Sequence, residues 1–147
     1  NYQMLYGFLI KLTGDKDLAE DLVQDTLLKA SLNITKFRGE SKFSSYLIKI
    51  GINTHKNYLR KNKIRTENDN FELKSSYDGE EDLINHIRFK EAISHLNNMP
   101  YEKRISFILK HYYGYSIEEI SEILKVSQGT TKSRIHNTMK KLRELLS

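Results

Sequence analysis

The stretch that decides the fold is YSIEEISEILKVSQGTTKSRIHNTMKKLRELL, Tyr115 to Leu146. Ser116 and Glu119 have the spacing of a capping box, which predicts the start of a helix, and Ser127 can cap a second helix. Apolar residues repeat every three or four positions, as Ile117, Ile120, Ile123 and Leu124 in the first helix and as Ile135, Met139, Leu142 and Leu146 in the second. Two amphipathic helices joined by so short a turn are typical of a helix–turn–helix motif, whose second helix enters the major groove of DNA.

The polar residues of this second helix separate into distinct groups. Opposite the apolar side lie side chains suited to base edges, which are Ser133, His136, Asn137 and Lys140. Lys132 and Arg134 lie to either side, where the two phosphate walls of the groove would be. Gly129 and Thr130, in the first turn, allow the backbone to approach a phosphate at the positive end of the helix dipole. A merely solvated basic tail, the alternative interpretation, would not separate its side chains in this way.

The rest of the chain also indicates helices, because apolar residues recur at three- and four-residue spacings and no stretch alternates over strand length. The only proline is Pro100. Residues 1–65 carry a net charge of +6 and residues 83–147 one of +5, whereas residues 66–82, TENDNFELKSSYDGEED, carry −6. We therefore predict an all-α chain of two small helical domains, residues 1–65 and 83–147, joined by a flexible acidic linker. An acidic surface loop within one domain is the alternative.

Composition excludes several classes of protein. The 147 residues include no cysteine, no apolar run approaches the length of a membrane span, and no signal peptide is visible, so we expect a cytoplasmic protein. The sequence has no nucleophile motif and no phosphate loop, and its histidines are scattered, at His55, His86, His95, His111 and His136. We therefore expect no catalysis, no cofactor, no metal and no small-molecule substrate.

A helix in the first domain presents an acidic face. In DLAEDLVQDTLLKASL, Asp17 to Leu32, one side should enter the core, with Ala19, Leu22, Val23, Thr26, Leu27 and Ala30. The other side carries Asp17, Glu20, Asp21, Gln24, Asp25 and Leu28. Leu28 suits the desolvated anchor of a protein interface and the carboxylates suit its steering rim, so a partner with a basic surface is expected. A single exposed leucine without function is the alternative.

The next helix carries the opposite charge. In SKFSSYLIKIGINTHKNYLRKNKIR, Ser41 to Arg65, one stripe is apolar and the far side is basic, with Lys49, Asn53, Lys56, Arg60 and Lys63 at spacings of four and three. Such a strip suits phosphates, and an asparagine can bond a base edge, although a solvated lysine-rich face is also possible. The preceding loop FRGESKFSSY, Phe37 to Tyr46, holds three aromatic rings that could stack an unpaired base or else belong to the core.

Residues 5–65 and 88–146 resemble the extracytoplasmic-function group of bacterial sigma factors. The resemblance rests on LTGDKDLAEDLVQDTLLKA, on FRGESKFSSYLIKIGINTHKNYLRK and on YSIEEISEILKVSQGTTKSRIHNTMKKLREL, which match the family's motifs in the family's order. It implies an alternative sigma factor that binds core RNA polymerase and directs promoter-specific transcription, with a region 2 helical bundle before the linker and a region 4 helix–turn–helix after it.

The resemblance also assigns roles to residues. Asp21, Gln24 and Asp25, around Leu28, would dock on the clamp helices of the largest polymerase subunit. The minus-ten element would be melted and held by Arg38, Ser41, Phe43, Tyr46, Lys49, Asn53, Lys56 and Arg60. Region 4 would bind the polymerase flap near Ile105 to Tyr113 and read the minus-thirty-five element, as double-stranded DNA, with the polar residues of the second helix. The linker would thread the channel that later carries RNA.

Further expectations follow from the same resemblance. An anti-sigma factor would cover the surface around Leu28 and could hold the protein at a membrane. Tyr46 stands where the family usually has tryptophan, and Lys125 stands where it usually has glycine, so Lys125 must take a left-handed conformation or reshape the turn. Two rival functions remain, a stand-alone helix–turn–helix regulator that binds duplex DNA without polymerase and a helical adaptor that binds no DNA.

Overall fold

The computed structural model describes residues 1–34, 42–62, 91 and 94–146. The chain divides into two compact units, Asn1–Glu72 and Leu73–Ser147. Across the described ranges all regular secondary structure is helical, which confirms the predicted all-α fold. The predicted linker, residues 66–82, lies outside the described residues, as do Arg38, Ser41 and Lys63.

The first unit is built from α1 (Tyr2–Thr13), α2 (Lys16–Leu32) and α3 (Phe43–Asn62). The chain turns between α1 and α2 at Gly14, whose φ of 71° is left-handed. Asp15 is the N-cap of α2, and its carboxylate accepts hydrogen bonds from two backbone N–H groups of the first turn. Fully buried side chains of α1 form the centre of the unit, namely Leu5, Phe8, Leu9 and Leu12. Both other helices pack on α1 and on each other, which fixes their outward faces.

The second unit is built from α4 (Tyr101–His111), α5 (Ile117–Leu124) and α6 (Gln128–Leu146), and residues 94–97 before Pro100 are also helical. Its core contains Leu96, Ile105, Ile108, Leu109 and Ile120, all fully buried. The helix α6 packs mainly on α4 and less extensively on α5. The α5–α6 pair is the predicted helix–turn–helix.

The start of α5 has the predicted capping box. The Glu119 backbone N–H donates to Ser116 Oγ at 3.0 Å, and the Ser116 N–H donates to Glu119 Oε1 at 3.0 Å. The helix ends at Lys125, with φ 57° and ψ 48°, so this lysine takes the left-handed conformation rather than reshaping the turn. Among the described residues it is the one non-glycine residue with a positive φ.

Lys125→Gly is expected to stabilise the second unit by about 1 kcal/mol, because glycine removes the steric cost of the left-handed conformation. The exposed Lys125 side chain contributes little packing in return. Hydrogen exchange of the α5 amides under native conditions measures the change. The matched control is Lys141→Gly, an exposed lysine in the interior of α6, which should destabilise by about 1 kcal/mol. Equal destabilisation by both variants would contradict the strain at Lys125.

Candidate functional site

The predicted acidic face of α2 lies in solvent. Ala19, Leu22, Val23, Thr26 and Ala30 are buried on the opposite side, as the periodicity predicts, while Leu27 is half-buried. On the outward side the predicted docking residues Asp21, Gln24, Asp25 and Leu28 are all exposed, and the Leu28 side chain is 60% exposed. Leu28 therefore contributes little to the core, and it is available to a partner.

Two further apolar side chains lie at the C-terminal end of α2. Leu32, one helical turn after Leu28, is 73% exposed, and Ile34 is 49% exposed. Sequence reasoning considered Leu28 alone, although the four-residue spacing of the two leucines was a visible signal that they share a face. We call Leu28, Leu32 and Ile34 the α2 apolar patch.

The basic strip of α3 is only partly solvated. Asn53 and Arg60 are exposed, whereas Lys49 and Lys56 are half-buried. At the start of α3 the rings of Phe43 and Tyr46 lie 6.1 Å apart at 38°, and both side chains are half-buried. The Tyr46 hydroxyl donates to the Asn33 carbonyl oxygen at 3.1 Å, which ties the start of α3 to the end of α2. The structure thus brings this part of the predicted minus-ten set onto one helix.

The N-terminus of α6 is capped as predicted. The Thr130 backbone N–H donates to Ser127 Oγ at 3.1 Å, and the Ser127 hydroxyl donates to Thr130 Oγ1 at 2.9 Å. Beyond the cap, the side chains predicted to face base edges are all exposed, as Ser133, His136, Asn137 and Lys140, and Gly129 and Lys132 are exposed as well. One polar surface of α6 is therefore free for the contacts that the sequence predicts.

The buried face of α6 includes two threonines that the sequence pattern did not indicate. Thr131 and Thr138 are fully buried or nearly so, beside Ile135 and Leu142, while Met139 is only half-buried. Thr131 Oγ1 lies 2.8 Å from Ser121 Oγ, and this buried hydroxyl pair joins α6 to α5. The two threonines move the centre of the buried face away from Met139 and towards the side of α6 that carries Arg134.

Arg134 is the member of the predicted DNA-binding set whose surroundings differ from the expectation. Its side chain is only 23% exposed, and its Nη1 lies 3.8 Å from Glu102 Oε2 in the first turn of α4. Lys132, two residues earlier, is exposed. The two cations expected to contact phosphates therefore differ in exposure.

A groove of about 480 Å³ lies in the second unit beside the polar surface of α6. Ile117, Ile135 and Met139 form its apolar lining, and its other residues are His111, Lys132, His136, Lys140, Arg143 and Glu144. Burial lowers the pKa of the His111 imidazole, and the adjacent Lys110 lowers it further.

Of the stretch expected to meet the polymerase flap, Ile105 to Leu109 is buried, while His111 and Tyr112 are exposed.

Comparisons with known proteins agree with this architecture. Residues 1–64 match the family model Sigma-70 region 2, and residues 90–142 match the model Sigma-70, region 4. The chain is similar to the ECF RNA polymerase sigma factor EcfG of Rhodopseudomonas palustris, with 32% identity over 97% of this chain and 78% of that protein. It is similar to the ECF RNA polymerase sigma-E factor of Haemophilus influenzae, with 30% identity over 88% of this chain and 74% of that protein.

A solved structure shows the same arrangement of helices. The sigma factor RpoE of Bartonella quintana, crystallised in complex with the anti-sigma factor NepR, matches with a TM-score of 0.83 and 29% identity over 99% of this chain and 91% of that one. Two helical units of these types, one with an exposed helix–turn–helix, define a transcription initiation factor of the sigma-70 class. Within that class, the chain belongs to the extracytoplasmic-function (ECF) sigma factors, which direct promoter-specific transcription.

The resemblance found in the sequence is therefore confirmed at the level of family and function. The positions of individual contacts with polymerase and DNA stay predictions. Within the described ranges, none of the helices is long and apolar enough to cross a membrane.

Proposed function

We propose that this sigma factor binds core RNA polymerase through the outward face of α2 and reads a promoter with α3 and α6. The observation that carries the proposal is that the outward face of α2 and the polar surface of α6 are both exposed, while the opposite sides of these helices are buried in the cores of their units. An exposed apolar anchor on the same helix face as the Asp21 and Asp25 carboxylates favours a partner with a basic surface. As an initiation factor, the chain acts by binding and not by turnover of a substrate.

The docking surface on polymerase is assigned to Asp21, Gln24, Asp25 and Leu28. The Asp21, Gln24 and Asp25 side chains also line a groove of about 340 Å³ between α2 and Tyr58 of α3. A clamp helix of the largest polymerase subunit could place its own side chains into such a groove while Leu28 is covered. In the second unit, the exposed His111 and Tyr112 are the available contacts for the flap.

The DNA-binding surfaces differ in chemistry, and this difference matches two tasks. On α3, the exposed Asn53 and Arg60 alternate with the half-buried Lys49 and Lys56. The same helix begins with the paired Phe43 and Tyr46 rings, which suits a melted minus-ten strand that needs both phosphate contacts and stacking. On α6, the exposed amide, hydroxyl, imidazole and ammonium groups suit the edges of paired bases in a major groove. The cytoplasm is the compartment in which this function would be carried out.

An anti-sigma factor is the other partner that we propose. The sigma factor RpoE of Bartonella quintana, matched above, was crystallised with the anti-sigma factor NepR. The α2 apolar patch is the surface whose coverage would block polymerase docking.

Leu28→Asp should weaken the complexes with core polymerase and with the anti-sigma factor if the two partners share this surface. An anti-sigma complex of unchanged affinity would show that they do not share it.

Run-off transcription tests the proposed function. Core polymerase is supplied with fragments of the source genome, with and without this chain, and promoter-specific transcripts are counted. The chain is expected to give discrete new transcript starts. A failure to gain any promoter-specific transcript would refute the sigma assignment, and tight sequence-specific binding of duplex DNA without polymerase would favour a stand-alone regulator instead.

A further inference from the structure

The Arg134 side chain lies mostly against the interior of the second unit, since only 23% of it is exposed. Its Nη1 is buried and, among the described residues, makes no hydrogen bond, while the Glu102 carboxylate lies 3.8 Å away. The contact is therefore an ion pair between α6 and α4 rather than a directed hydrogen bond. The Arg134 carbonyl oxygen is also occupied, since it accepts from the buried Thr138 hydroxyl at 2.8 Å.

The end of α4 that carries Glu102 makes several contacts with the residues around it. Pro100 precedes the helix, and its carbonyl oxygen accepts from the backbone N–H groups of Lys103 and Arg104 at 3.0 and 3.1 Å. The Arg104 guanidinium lies 5.3 Å from the centre of the Tyr101 ring and donates to the Asn97 carbonyl oxygen at 3.1 Å. Burial raises the pKa of the Tyr101 hydroxyl and lowers that of Arg104, whereas the Glu102 side chain between them is still 40% exposed.

The ion pair constrains how α6 is rotated about its own axis. A half-buried guanidinium loses hydration, so the helix is favoured in the rotation that keeps Arg134 beside a carboxylate. Ser133 and Asn137 lie on the same side of Arg134 around the helix axis, at about 100° and about 60° from it. Any rotation that separated Arg134 from Glu102 would therefore turn the base-facing side chains out of register.

We propose that Glu102 is a positioning residue for recognition of the minus-thirty-five element, acting through its ion pair with Arg134. Arg134 connects α6 to α4, and Lys132 contacts phosphate on the other side of the same helix. This inference rests on the proposed function, because it assumes that α6 reads DNA. It adds a residue outside the helix–turn–helix to the determinants of that recognition.

The test uses the full chain bound to core polymerase. The probe is a promoter duplex selected from a random-sequence library with the wild-type holoenzyme, together with the same duplex carrying a scrambled minus-thirty-five element. Glu102→Gln and Arg134→Gln are each expected to weaken binding to the intact duplex by roughly tenfold and to leave binding to the scrambled duplex unchanged. The double variant should be no weaker than either single one.

The salt dependence separates positioning from direct contact. Each lost phosphate contact lowers the slope of log affinity against log salt by about 1, so neither glutamine variant should change the slope, whereas Lys132→Gln should lower it. Glu118→Gln, an exposed acid on α5, controls for loss of negative charge and should have no effect. The exchanged pair Glu102→Arg with Arg134→Glu should recover at least half of the lost discrimination, which a variant that merely disturbs the fold would not do.

Two results would overturn the proposal. If Arg134→Gln lowers the slope by about 1 while Glu102→Gln changes nothing, Arg134 is a phosphate contact. If both variants weaken the intact and scrambled duplexes alike, the pair serves the fold and not recognition. If the wild-type holoenzyme selects no duplex from the library, the proposed function itself has failed, which is a distinct outcome.

Discussion

Leu28→Asp is expected to remove promoter-specific transcription by weakening the complex with core polymerase at least about 30-fold. The side chain is 60% exposed, so the substitution removes little from the core of the first unit. In a docked complex, however, it would place a carboxylate in a desolvated position already surrounded by Asp21 and Asp25. Loss of a central apolar anchor costs about 2 kcal/mol or more, and an unpaired buried charge adds to that cost.

The measurement is competition between the variant and the labelled wild-type chain for core polymerase. Leu145→Asp is the matched control, because that leucine is 43% exposed on α6, outside the predicted docking face. Substitution of Asp21 and Asp25 by asparagine should instead lower the association rate and reduce its dependence on salt, since these carboxylates act as a steering rim. Equal competition by wild type and Leu28→Asp would show that Leu28 is not part of the polymerase-docking surface.

How much of this could be predicted differs between the two units. The α2 prediction succeeded because its core residues are apolar or small and recur at helical spacing, so the periodicity gave the outward face as well. The capping box, the Ser127 cap and the left-handed Lys125 follow from local backbone chemistry, which does not depend on distant residues.

Two features of α6 could not be predicted from the sequence pattern, and their physical causes differ. The apolar pattern did not include Thr131 and Thr138 because they are polar, yet each satisfies its hydroxyl locally, against the Ser127 and Arg134 carbonyl oxygens at 3.3 and 2.8 Å. A threonine that returns its hydroxyl to the preceding turn can be buried at low cost. The position of Arg134 could not be predicted either, because its partner Glu102 lies on another helix and only tertiary packing brings them together.

Asn137→Ala is expected to lower holoenzyme affinity for its preferred minus-thirty-five element by about 10- to 100-fold, and to relax the preference at a single base pair. The Asn137 side chain is exposed. Its amide nitrogen lies 3.5 Å from Ser133 Oγ, so this hydrogen bond is weak and contributes little to the stability of the fold. Removal of the amide therefore affects recognition without destabilising the fold.

The decisive comparison is between Asn137→Ala and Lys132→Ala, measured on promoters that carry every single-base change in the minus-thirty-five element. Lys132→Ala should weaken all of these promoters equally and lower the salt slope by about 1, because a phosphate contact carries no base information. Asn137→Ala should lose affinity for the preferred base at one position and leave the slope unchanged. A uniform loss in both variants would mean that the amide contacts the DNA backbone, and the bases would then be read by Ser133, His136 and Lys140 alone.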